Sequence, residues 1–159
     1  MQSAKKFIEQ LQLEPLAEGG WFKRIYESSQ TDNTGRRYSA AIYYLLEAPD
    51  FSCFHRIDCD EIWHFYAGEA LMIHQIDAYG KHTSALLGNP LDTQLATPSV
   101  IIPAGSWFAA EIISGEKFSL VGCTTTPEFI YPAYEIIKRN QLIALHAQHT
   151  ELITRLTRH

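Results

Sequence analysis

The 159-residue sequence has no basic cluster: 13 Lys and Arg stand against 18 Asp and Glu, for a formal charge of −5. Without a concentrated positive face there is nothing to neutralise a phosphate backbone, so nucleic acid is not an expected partner. Long hydrophobic runs are missing as well. No apolar stretch approaches the length of a membrane span, and the opening "MQSAKKFIEQLQL" has no apolar core of signal-peptide length. A soluble cytoplasmic chain with no membrane partner is expected. Cysteine is scarce and odd in number. Cys53, Cys59 and Cys123 form no C-x-x-C pair, which argues against a structural zinc site or a disulfide framework and for free thiols in a reducing compartment. Internal repeats, low-complexity segments and linkers are absent too.

What is present describes a folded domain. Hydrophobic residues make up 46% of the chain and aromatics 12%, and 159 residues suffice for one core without staples. A single domain over residues 1–159 is expected. Residues 3–12 read as a short amphipathic helix, with Ser3 as cap and Phe7, Ile8 and Leu11 at helical spacing. After "PLAEGG" breaks that pattern, a series of short runs follows: "WFKRIYES", "YSAAIYYLL", "FSCFHRI", "EIWHFYA", "EALMIHQID", "KHTSALLG", "SVIIPA", "SWFAAEII" and "KFSLVGCTTT". Each is rich in β-branched and aromatic residues and bounded by Gly, Pro, Asp or Asn, the signature of an antiparallel sandwich or barrel over about 20–130. The tail, about 134–158, reads as helical, with Ile143, Leu152, Ile153 and Leu156 placed to pack on the barrel. The expected fold class is all-β with short helices at both ends.

The stretch "FHRIDCDEIWHFYAGEALMIHQI" concentrates chemistry-bearing residues. His55, Glu61 and Gly68 fall at the spacing of the first motif of the cupin superfamily, G-x5-H-x-H-x(3,4)-E-x6-G, and Pro103 and Gly105 in "SVIIPAGSWF" supply the P-x-G of its second. Together with "LAEGGWFKRIY", "HRIDCDEIWHFYAGEAL", "FSLVGCTTTPEF" and the closing "LTR", the chain resembles a small cupin branch of unknown function with E-G-G-W, D-E-x-W-H and C-T-x-x-P motifs. The resemblance implies a cupin jelly-roll β-barrel or sandwich. It also implies a metal centre of two histidines and a glutamate from the first motif and a third histidine from the second.

Two of those four positions are apolar here: Ile57 replaces the second histidine and Phe108 the third. Glu18, Gly19 and Gly20 are retained, but Leu16 and Ala17 stand where the family places His and Pro. A divalent metal needs three or four protein ligands in defined geometry, so no metal and no other cofactor is expected. Strand alternation puts Glu61, Trp63 and Phe65 on one face and His64 and Tyr66 on the other. Left without its metal, the motif offers His55 as a base oriented by Glu61, with a tyrosine from among Tyr26, Tyr43, Tyr44 and Tyr66 as acid.

His55 and Glu61 are therefore the catalytic candidates. Arg24, Tyr43, Trp63, His74, Trp107 and Phe108 are the candidates for ligand binding. His146, His149 and His159 receive no role. The expected function is binding of a small molecule, with metal-independent isomerisation or epimerisation of a sugar-like carbonyl compound as the enzymatic form. A non-catalytic ligand-binding cupin and a metal-dependent dioxygenase or phosphosugar isomerase are the alternatives. The two-sided apolar runs "AAIYYLL" and "EIWHFYA" point to a homodimer.

Overall fold

A computed structural model describes residues 3–113 and 117–158; residues 1–2, 114–116 and 159, His159 among them, lie outside it. The chain opens with helix α1 (Ala4–Leu11), capped by Ser3, whose hydroxyl accepts from the Lys6 amide. It ends at Gln12, in left-handed conformation. Strands follow as β1 (Glu14–Pro15), β2 (Trp21–Glu27), β3 (Ala40–Glu47), β4 (Phe51–Arg56), β5 (Asp60–Gly68), β6 (Leu71–Ile76), β7 (His82–Leu87), β8 (Ser99–Ile102), β9 (Trp107–Ile112), β10 (Phe118–Thr126) and β11 (Glu135–Ile136). Helices α2 (Arg139–Leu145) and α3 (Thr150–Arg155) close the chain.

The strands form two antiparallel sheets, ordered β1-β2-β3-β10-β5-β8 and β11-β4-β9-β6-β7. Their facing sides bury Tyr44, Trp63, Ile73, Phe108 and Val121 in one core. Alternation along each strand produces this layering, because successive side chains leave on opposite sides. Each sheet also has a cover on part of its outer side. Helix α1 packs Phe7, Ile8 and Leu11 against Leu45 and Leu120, and α2 and α3 pack Leu142, Ile153 and Leu156 on Phe54, Ile76 and Trp107. No helix among the described residues is long and apolar enough to cross a membrane.

The tail departs from its sequence pattern at one end. Glu135 and Ile136 pair with Arg56 and His55 as an edge strand, so helix begins only at Arg139. Gly68 turns β5 into β6 at φ +94°, where an added Cβ would sit 2.1 Å from the Phe118 carbonyl oxygen. Only glycine fits that close approach.

Candidate functional site

Three segments of the chain converge on one cavity between the sheets. The first is the turn between β1 and β2. Gly19 takes φ +119°, and a Cβ there would lie 2.2 Å from the Phe51 carbonyl oxygen, so the turn presses directly onto β4. The Glu18 carbonyl accepts from the Cys53 amide at 2.9 Å and the Gly19 carbonyl from the Tyr44 hydroxyl at 3.0 Å. The chain terminus closes the arrangement: Arg158 Nη2 donates to the Glu18 carbonyl at 3.1 Å, the Phe51 carbonyl at 2.8 Å and the Asp50 carboxylate at 2.7 Å. With its backbone held from three sides, Glu18 lines the cavity and is only 8% exposed.

The second contribution comes from β4 and β5. His55 Nδ1 lies 2.7 Å from the Cys53 carbonyl, which only accepts, so Nδ1 carries the proton and Nε2 the lone pair of the neutral ring. Phe108 backs the imidazole at 4.0 Å between ring centroids. Burial holds His55 below its ordinary pKa of 6.5, against the pull of the Glu18 charge and the Cys53 carbonyl. Glu61, 7% exposed, enters the cavity from the start of β5. Burial pushes its carboxyl up to about 7, and the Glu18 charge adds to the rise. The Trp63 indole and the Cys123 thiol pull the other way, although neither closes a hydrogen bond of regular geometry with it and the Trp63 Nε1 is left without a partner.

The third segment follows β10. Phe129, Tyr131 and Tyr134 line the cavity, and the Tyr134 hydroxyl donates to Glu18 Oε2 at 2.5 Å. Burial and the Glu18 charge raise the Tyr134 hydroxyl far above its ordinary range. The enclosed space is about 70 Å³, room for roughly five water-sized groups.

His55, Glu61 and Arg24 thus meet on one cavity. Glu61 does not orient His55; the Cys53 carbonyl does, because it lies on the same strand within reach of Nδ1. Arg24 donates to Glu27 and to the Phe129 carbonyl, which ties its guanidinium to the rim. Trp63 faces inward but packs edge-on against Tyr44 and Phe108 in the core. Phe108 supports His55 rather than forming the cavity wall.

Three residues placed at the ligand by sequence lie elsewhere. Tyr43 sits on the outer side of the six-stranded sheet, edge-on to Tyr66 at 6.1 Å. Trp107 is buried beneath the C-terminal helices with the Arg56 guanidinium 4.4 Å from its ring. His74 shares that outer side, bonding His82 through Nδ1 and Glu111 through Nε2, each at 3.1 Å, while Arg155 also grips Glu111. His64 too faces outward, near Ser99 Oγ at 3.3 Å.

Glu18 and Tyr134 were not among the sequence candidates. For Glu18 the available signal was its place in E-G-G-W, where two glycines in left-handed conformation hold the turn against the barrel. The tyrosine facing His55 is Tyr134, at 5.7 Å between ring centroids, outside the four weighed from strand patterns.

The donors do not suit a divalent metal. Ile57 lines the cavity where the motif would supply a ligand, and no group of three His, Cys, Asp or Glu side chains among the described residues converges as a metal site.

Residues 5–137 match the model of the cupin superfamily (DUF985). Among solved structures, the chain is similar to the X-ray structure of a protein from Shewanella oneidensis, 35% identical with a TM-score of 0.93 over 99% of both chains. It is also similar to a hypothetical protein from Leishmania major, 27% identical, with a TM-score of 0.92 over 99% of this chain and 100% of that one. Oxalate decarboxylase from Bacillus subtilis shares the fold alone, at 12% identity and a TM-score of 0.58 over 89% of this chain and 36% of that one. No curated protein matches the chain.

Proposed function

The chain belongs to the cupin superfamily (DUF985), and from that premise we propose that its cavity is the active site of a metal-independent isomerase or epimerase for a small carbonyl compound. One observation carries the reading: a neutral imidazole with a free Nε2 and a carboxyl titrating near 7 share one enclosed space. His55 Nε2 takes the proton α to the substrate carbonyl, and neutral Glu61 gives its proton to the carbonyl oxygen, forming an enediol. Delivery of a proton from water to the opposite face of the same carbon, with the His55 proton passing to water and the hydroxyl proton back to Glu61, inverts it. Return of the His55 proton to the neighbouring carbon, with the new hydroxyl proton passing back to Glu61, moves the carbonyl. An acid titrating at about 7 beside a neutral imidazole base suits such transfer at pH 7.

The apolar walls, Leu16, Phe22 and Ile42, favour recognition without catalysis as the second reading. Incubation with small 2-hydroxy aldehydes and ketones in D₂O, followed by NMR, separates the two. Loss of the α-proton signal is expected, slowed about 100-fold or more in His55→Ala and Glu61→Gln. Binding without exchange, across the whole panel, would make the protein a binding module.

A further inference from the structure

We propose that the occupant of this cavity carries an ammonium group, held between the Glu18 carboxylate and the rings of Phe129, Tyr131 and Tyr134. The inference rests on reading the cavity as the ligand site, and it narrows the substrate class to small aminated carbonyl compounds.

The charge inventory comes first. Glu18 and Glu61 are both more than nine-tenths buried and both face the cavity, yet neither carboxylate has an ion-pair partner among the described residues. The cations nearby are committed elsewhere. Arg158 binds the Glu18 carbonyl, not its carboxylate, and pairs with Asp50. Arg24, on the cavity rim, pairs with Glu27 and donates to the Phe129 carbonyl. Among the described residues Glu18 has one neutral donor, Tyr134, and Glu61 has only the neutral Trp63 indole and Cys123 thiol beside it. Buried carboxylates are ordinarily matched by a counter-charge. For Glu18 the described residues supply none, and a cationic ligand would.

The aromatic wall is a separate observation. Phe129 and Tyr131 meet at 5.1 Å and 81°, Phe129 and Tyr134 at 5.5 Å and 67°, and Tyr131 and Tyr134 at 6.4 Å and 87°. Three rings at near right angles on one short segment, all lining the cavity beside Glu18, form the corner of a box. Aromatic rings grouped beside a buried carboxylate attract alkylammonium groups through their electron-rich faces. An anionic ligand would meet two carboxyls and these ring faces. A neutral polyol would find hydrogen bonds but leave the charge unmatched. The remaining cavity groups add no positive charge: His55 is neutral, and burial keeps Cys123 a thiol.

Calorimetric titration of the full-length protein at pH 7 and constant ionic strength tests this, with methylammonium, ethanolamine and choline as cations. Controls are 3,3-dimethylbutan-1-ol, the uncharged isostere of choline, and acetate. At least one cation is expected to bind tenfold or more tightly than the isostere, with acetate silent. Glu18→Gln should remove that preference. Tyr131→Leu, which alters an exposed ring and leaves the Glu18–Tyr134 bond in place, should weaken cation binding severalfold and serves if Glu18→Gln does not fold. Affinity for the isostere equal to or above that for all three cations, no cation binding at millimolar concentration, or an unchanged preference in both variants overturns the proposal. Selectivity for cations without proton exchange on any carbonyl compound would sustain this inference and remove the isomerase reading. Exchange on neutral compounds without cation selectivity would do the reverse.

Discussion

The Tyr134 hydroxyl donates to the Glu18 carboxylate at 2.5 Å across a sequence separation of 116 residues. That bond ties the turn before β2 to the segment after β10, and between them the two residues complete the wall that strands alone leave open. Neither belongs to the regular run of the sheets. The connections bring Glu18, Phe129, Tyr131 and Tyr134 to the cavity, while the strands contribute His55, Glu61 and apolar wall residues such as Phe22 and Ile42.

Replacing Tyr134 by Phe deletes this donor and keeps the ring. Glu18 then stays buried without a hydroxyl partner, which costs about 1–3 kcal/mol. For a domain of this size that lowers the melting temperature by roughly 2–4 °C per kcal/mol. Thermal unfolding measures the loss. In the Tyr134→Phe background, Glu18→Gln should cost less than it does alone, because the carboxylate has already lost its partner. Additive losses would show that the bond contributes nothing.

Arg158→Ala should loosen the same turn from its other side. The exposed pair with Asp50 is worth only about 0–1 kcal/mol, but the guanidinium also serves the Glu18 and Phe51 carbonyls and lies 4.6 Å from the Phe51 ring. Hydrogen exchange at the Cys53 amide, which donates to the Glu18 carbonyl, is the direct readout. Faster exchange there with little change in the helical cover is expected. Unchanged protection would mean the clasp holds only the terminus.

Strand patterns made the layering legible, and motif spacing singled out His55 and Glu61, which the structure brings to one cavity, and Phe108, which instead backs the His55 ring. Strand patterns failed where both sides of a strand are buried. In β9 Trp107 and Phe108 are equally inaccessible, one beneath the helices and one between the sheets, and alternation does not say which side holds the cavity. His74 in β6 and Tyr43 in β3 were misplaced for the same reason. Tyr134 was beyond reach for a different one. Its place in the cavity depends on a non-local approach to Glu18, and the local pattern of its stretch is that of a helix start.

Stability should respond to pH in two opposing directions. Glu61 titrates near 4.5 unfolded and about 7 folded, so the native state holds the extra proton and stability falls as pH rises from 4.5 through 7. His55, His74 and His82 are held below their ordinary 6.5 chiefly by burial. For them the unfolded chain binds the extra proton, and stability falls as pH drops below 6.5. Denaturant unfolding of Glu61→Gln should lose the decline between pH 4.5 and 7, so that its stability rises more steeply with pH over that window than the parent's, and keep the histidine decline on the acid side. An unchanged profile between pH 4.5 and 7 would assign the decline to another group.

The outer side of the six-stranded sheet leaves Tyr66 51% and Ile101 62% exposed, with Ile101 opposite Ile62 across β5 and β8. We propose that a second copy covers this face, and light scattering at micromolar concentration should return a dimer mass. Tyr66→Glu should shift the mass toward the monomer without loss of fold, since a carboxylate resists burial in an apolar contact. A monomer mass for the unmodified protein refutes the proposal.

Ile57→His tests how near the cavity stands to a metal centre. Ile57 shares the cavity with His55 and Glu61, so a histidine there would add a third donor to the free His55 Nε2 and the Glu61 carboxylate. Zinc or nickel should bind the variant at least about tenfold more tightly than the parent, and more weakly as pH falls and protons compete for the ligands. The same variant carrying Glu61→Gln should lose the gain, because an amide is a poorer ligand than a carboxylate. Titration of metal into both proteins by calorimetry reads the difference. If Ile57→His binds no better than its parent, the three side chains do not converge, and the missing ligand is then not what separates this cavity from a metal-binding one.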